Sequence, residues 1–123
     1  MSTRAFSDIL ESAREAGTSR LSAVTVAEIF GLQQQELATL AGVHRNTLRT
    51  HHESPKLQTA LRDLMRLLSA AYEVQQDLVG AVFLLKNEPI RAFGHKTLTQ
   101  VATAGRTDDA IDYLVSIKSG FVG

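Results

Sequence analysis

The sequence predicts an all-α fold, a small helical protein with an N-terminal helix-turn-helix bundle and a second helical part behind it. Three observations predict this. Apolar residues recur at three- and four-residue spacing along most of the chain, the period of one helix face. Residues branched at Cβ nowhere alternate with polar ones over a long stretch, and the 123 residues include only two prolines. Glycines fall where helices of ordinary length would stop, at Gly17, Gly31, Gly42, Gly105 and Gly120. A hydrophobic fraction of 44% belongs to a globular chain, and this length makes one compact domain or two small ones.

The elements follow in order. Ser7 is placed to cap a short helix through Glu15, with Phe6, Ile9, Leu10 and Ala13 apolar and Gly17 as its stop. Residues 22–30 read as a helix bearing Val24, Val26, Ala27, Ile29 and Phe30, ended by Gly31. Residues 33–41 and 45–52 read as a helix pair. Ser54-Pro55 breaks the chain, because the residue before proline avoids the α region. From Lys56 to about Gln76, Leu57, Leu61, Leu64, Met65, Leu68, Ala71 and Tyr72 form one apolar stripe, and core packing explains it fully. Residues 77–86 are apolar on most sides and are expected to be buried or at an interface. A loop runs from Asn87 through Gly94, and a short helix spans Thr97 to Ala104. The last helix has Thr107 as its expected cap, Asp108 and Asp109 at its positive end, Lys118 at its negative end and Gly120 as its stop. Ile111, Leu114, Val115 and Ile117 are its expected buried face.

The helix pair carries chemistry. From Gln35 the chain reads QELATLAGVHRNTLRT. Ala38 must be small where a second helix crosses it, and Gly42 sits at a turn that needs a positive φ. Leu37, Ala41, Val43 and Leu48 face inward and set the angle between the helices. This spacing is that of a helix-turn-helix. Its second helix would present His44, Arg45, Asn46, Thr47, Arg49 and Thr50 outward, where they can donate to phosphates and base edges of DNA.

Charge agrees with that placement. Residues 1–42 carry three Arg against five acids, and residues 67–123 carry five basic residues against six acids. Residues 43–66 hold Arg45, Arg49, Lys56, Arg62 and Arg66 against Glu53 and Asp63 only. Net charge is zero, but phosphate binding needs local positive charge. The excess is modest, so DNA binding by a homodimer or a larger assembly is expected.

Other chemistries find little support. The absence of Cys excludes disulfides, thiol catalysis and Cys-based zinc sites, and it fits a reducing, cytoplasmic setting. The opening residues carry Asp8, Glu11 and Glu15 and no apolar run, so no signal peptide is expected. No stretch approaches the ~20 apolar residues that would span a bilayer. His44, His51 and His52 invite a metal reading, but His51 and His52 point apart on a helix and no well-spaced carboxylate joins them. Asp108, Asp109 and Asp112 are explained by an acidic helix N-terminus. Gly31, Gly42, Gly94 and Gly105 lack phosphate-loop spacing. No nucleophile stands beside an evident base, so neither an enzyme nor a cofactor is expected.

Several segments together carry a family resemblance. They are Phe30-Gly31-Leu32 closing a helix, Thr47-Leu48-Arg49 closing the helix-turn-helix, and Leu61-Arg62-Asp63 to Arg66-Leu67 in the long helix. The loop from Asn87 to Gly94, the Thr103-Ala104-Gly105-Arg106 turn and the closing Ile117 to Gly120 follow. In this order, residues 21–123 resemble the Xre/MbcA/ParS-type antitoxins. Phe83-Leu84 stands where many relatives carry Trp-Leu, and Phe93 to Leu98 where many carry Gly-Gly-x-x-Pro.

The resemblance implies a division of labour. Residues 1–68 would be a helix-turn-helix domain on operator DNA, and residues 69–123 a domain that binds a cognate toxin. That toxin would be a RES-domain enzyme that consumes NAD, or an ADP-ribosyltransferase. The antitoxin's C-terminus would lie in its active-site cleft. The implied toxin-binding residues are Arg106, Lys118, Ser119, Gly120, Phe121, Val122 and Gly123. Three alternatives stay open at this point. Phe121 and Val122 could fold onto the chain's own core. The chain could be a stand-alone transcriptional regulator whose C-terminal half dimerises. It could also be an interaction module with a vestigial helix-turn-helix.

Overall fold

The computed structural model describes residues 6–120 and is all-helical, with eight α-helices and no β-strand among the described residues. The chain divides into two compact units, residues 1–65 and 66–123.

In the first unit, α1 spans Phe6–Ser12, α2 Ala23–Phe30, α3 Gln34–Ala41 and α4 Thr47–Thr50, and α5 begins at Pro55. Helix α1 buries Ile9 and Ala13; the Phe6 side chain lies outside the described set. It starts before the expected cap and stops three residues short of Glu15. Ser7 is inside the helix and does not cap it. The Ser12 hydroxyl donates to the Ile9 carbonyl at 2.7 Å, offering the backbone a local alternative to another turn. The chain then doubles back: Glu15 N–H donates to Arg20 O at 2.8 Å, and Ser22 N–H to Ala13 O at 2.6 Å. Gly17, with φ +76°, lies in that turn.

Helix α2 is punctuated at both ends. The Ser22 hydroxyl accepts from Thr25 N–H at 3.2 Å. Gly31 adopts the left-handed conformation, and Leu32 N–H reaches back to Ala27 O at 2.8 Å, which closes the helix with a six-residue loop. Helix α3 begins where the Glu36 carboxylate accepts from Gln33 N–H at 2.7 Å. It ends at Gly42, φ +70°, with Val43 N–H donating to Ala38 O at 3.0 Å. The tight turn at Gly42 is therefore present as expected. Val26, Phe30, Leu37, Ala38 and Leu48 are buried, and α3 packs on α2 and α4.

Helix α5 spans Pro55–Gln75. Proline suits a first helical turn, where its missing N–H costs nothing, and the Ser54 hydroxyl accepts from Leu57 N–H at 3.3 Å. Its expected apolar stripe is buried from Leu57 to Ala71, and Tyr72 is half-buried. Leu67 joins it.

In the second unit, Gln76 takes φ +51° and ends α5. Helix α6, Leu78–Asn87, starts at Asp77, whose carboxylate accepts from Gly80 N–H at 2.8 Å. A 3₁₀ turn at Arg91–Phe93 is flanked by a bridge between Ile90 and Lys96. Helix α7 spans Leu98–Thr103 behind a Thr97 cap, and α8 spans Thr107–Lys118. Helix α7 packs on α6 and α8. Leu85, Leu98, Val101, Ala110 and Leu114 are buried.

Two expectations are corrected here, both on α8, and one on α6 is narrowed. Thr107 is the first residue of α8, and Arg106 occupies the cap position. The buried face of α8 is Ala110 and Leu114. Val115, turned off that face, is 53% exposed, and Ile117, one turn beyond Leu114, is 38% exposed. Helix α6 is not buried all round: Ala81 and Leu85 are buried, but Val79 is 77% and Phe83 60% exposed. No helix among the described residues is long and apolar enough to cross a membrane.

Candidate nucleic-acid interface

The segment after Gly42 differs from the eight-residue helix expected over 45–52. Only Thr47–Thr50 is α-helical. It is entered through tight i→i+3 bonds, with Thr47 N–H on His44 O at 2.9 Å and Leu48 N–H on Arg45 O at 3.2 Å. Its far end is cut short at His51, for two local reasons. The Thr50 hydroxyl donates back to Asn46 O at 2.8 Å. His51, at φ −133° and ψ 61°, has left the helix. His51 and His52 are exposed, so no apolar side chain holds a further turn in place before Pro55 opens α5.

The candidate residues therefore divide between loop and helix. His44, Arg45 and Asn46 lie before α4; Thr47, Arg49 and Thr50 lie on it. Five of the six are exposed, and Thr47 is half-buried. Leu48 is buried and pins the segment, and Val43 is half-buried. Two of the six have local polar partners. His44 Nδ1 accepts from Asn46 N–H at 3.1 Å, and the Thr50 hydroxyl also lies 2.7 Å from His51 Nδ1. Among the described residues, Arg45 and Arg49 are paired with no carboxylate. Arg49 also lines a small apolar cleft of about 170 Å³ with Val24, Ala27, Leu37 and Leu48. These two guanidiniums and the Asn46 amide are the groups free to meet an outside acceptor.

Two features of this region escaped sequence reading. Gln58 is buried, and its amide ties two loop segments to α5: it accepts from Leu21 N–H at 3.0 Å and donates to Leu21 O at 3.1 Å and His52 O at 2.8 Å. The signal was present, since Gln58 stands three residues before Leu61 and seven before Met65 on the buried face. Glu15 gathers Arg20 Nε and His52 Nδ1, each at 3.0 Å. His52 thus has a carboxylate partner that lies 37 residues away in sequence. Among the described residues no three His, Asp or Glu side chains group as a metal site would need.

The candidate toxin-binding residues are not brought together. Arg106 and Lys118 lie at opposite ends of the 12-residue α8, ~18 Å apart along its axis. Arg106 is engaged at its own end. Its Nε donates to Asp109 at 2.9 Å, and its guanidinium stacks 5.3 Å from the Phe93 ring centre, itself edge-on to Tyr113. Lys118 Nζ lies 3.4 Å from the Glu73 carboxylate. The Ser119 hydroxyl donates to Val115 O at 2.9 Å, and Gly120 takes φ +73° as the helix stops. Phe121, Val122 and Gly123 lie outside the described residues. Lys118, Ser119 and Gly120 thus form one exposed helix end, and Arg106 belongs elsewhere. No protein-family model, curated protein or solved structure matches the chain.

Proposed function

We propose that this chain is a cytoplasmic antitoxin, with no catalytic activity of its own, that binds operator DNA through the α3–α4 segment and occludes a toxin enzyme of the RES type. One observation carries the DNA half. Arg45 and Arg49 are exposed, without carboxylate partners among the described residues, on a turn anchored from behind by buried Leu48. Arginine in that setting can address phosphate or the edge of a guanine with two parallel hydrogen bonds. Because α4 is a single turn, few base edges come within its reach. Two copies about one DNA turn, ~34 Å, apart would supply the rest. The toxin half is supported by the resemblance of residues 21–123 and by the exposed end of α8 at Lys118 to Gly120.

The test has two arms. Co-expression with the neighbouring reading frame, followed by a pull-down, is expected to recover a stable complex. Titration of the operon's own promoter with Arg49→Ala is expected to lose about 1–3 kcal/mol of discrimination. Unchanged affinity and specificity would remove α4 from the reading.

A second reading is favoured by a different observation. Val79 and Phe83 are exposed four residues apart on α6, as expected of a self-associating face. A stand-alone regulator that dimerises there would bind its promoter and recover no partner enzyme.

A further inference from the structure

We infer that Lys56, at the start of α5, is a third cation of the DNA contact, a phosphate clamp set over the Gly42 turn; this rests on the DNA-binding reading above. A Cβ built at Gly42 would lie 3.3 Å from Lys56 Cε and 3.6 Å from its Nζ. The lysine stem therefore lies against the bare face of the glycine, and its ammonium is held at the turn that leads into His44 and Arg45. Gly42 serves twice: it adopts φ +70°, and it leaves room for that stem. Lys56 is exposed and, like Arg45 and Arg49, has no carboxylate partner among the described residues.

Chemistry assigns the three cations different work. A lysine ammonium is a compact point charge that neutralises a phosphate without demanding a fixed orientation. A contact of that kind fixes register and affinity but carries no sequence information. Lys56 then contributes one phosphate contact to the salt dependence of binding, and the arginines set its sequence preference. The rival role is local. A cation near Gly42 also sits at the negative end of α3, where it would stabilise the helix whether or not DNA is present.

Salt titration separates the two. Binding of the full chain to its promoter and to an unrelated duplex is measured over roughly 50–200 mM salt for wild type, Lys56→Gln and Lys56→Arg. For Lys56→Gln the slope of log affinity against log salt is expected to shrink by about 0.9 per bound chain, equally on both duplexes. Lys56→Arg is expected to keep the wild-type slope. An unchanged slope in Lys56→Gln overturns the clamp. If its thermal midpoint also falls, Lys56 is only the cation at the end of α3. A wild-type protein that binds neither duplex overturns the underlying reading, and the clamp with it.

Discussion

Replacing Gln58 with leucine tests how the candidate interface is held. The residue is 7% exposed and makes three hydrogen bonds to backbone. Leucine is close in size and suits the helix, so the change removes the amide and little else. It strands the N–H and the carbonyl of Leu21, a residue 5% exposed, and the carbonyl of His52. A buried backbone group left without a partner costs about 1–3 kcal/mol. The His52 carbonyl is only part-buried and can recover water, and burial of the leucine offsets part of the loss. The expected destabilisation is about 2–4 kcal/mol, large against a total of about 5–15 kcal/mol. Urea unfolding followed by circular dichroism measures it, and amide exchange localises it to residues 6–65. Gln58→Glu is expected to do at least as much damage at neutral pH. It keeps the acceptor for Leu21 N–H but sets a carboxylate against two carbonyl oxygens. A loss below about 1 kcal/mol in Gln58→Leu, with exchange at Leu21 unchanged, would refute the reasoning.

Two further outcomes are expected. Deleting Ser119 to Gly123 should abolish neutralisation of the partner enzyme while leaving the melt and the promoter titration intact, because the described part of that segment contributes only cap hydrogen bonds; full rescue by the truncation would eliminate the plug. Val79→Ser with Phe83→Ser should convert a dimer to a monomer in light scattering, since the exposed phenyl ring alone would contribute roughly 1.5–3 kcal/mol when buried; a wild-type protein that is monomeric with and without DNA would remove that face from the account.

Much of the fold was legible because it is written in local rules. The α5 stripe from Leu57 to Ala71 repeats with the helix period, so any packing of that helix buries it. Gly31 and Gly42 end α2 and α3 because only glycine enters the left-handed region cheaply, and Ser22, Asp77 and Thr97 cap helices through oxygens within three residues of their donors. None of this needs a distant partner. The candidate site was legible in part for the same reason: the Gly42 turn, buried Leu48 and exposed arginines all follow from spacing. Some of what failed was local, as at the Ser7 and Thr107 caps and the end of α4, and the rest depended on neighbours. The length of α4 was decided by the lack of anything apolar at His51 and His52 and by the start of α5. The exposure of Val79, Phe83 and Val115 was decided by which faces of α6 and α8 found something to pack against, and an apolar side chain carries no label for that. Gln58 could be seen to lie on the buried stripe, but its partners Leu21 and His52 are reached through folding alone. Sequence by itself determined that the chain is helical, where α2 and α3 stop at Gly31 and Gly42, and which stripe of α5 is apolar. Only tertiary structure decided which apolar faces were covered, because burial belongs to pairs of surfaces and a single strand of text describes one surface at a time.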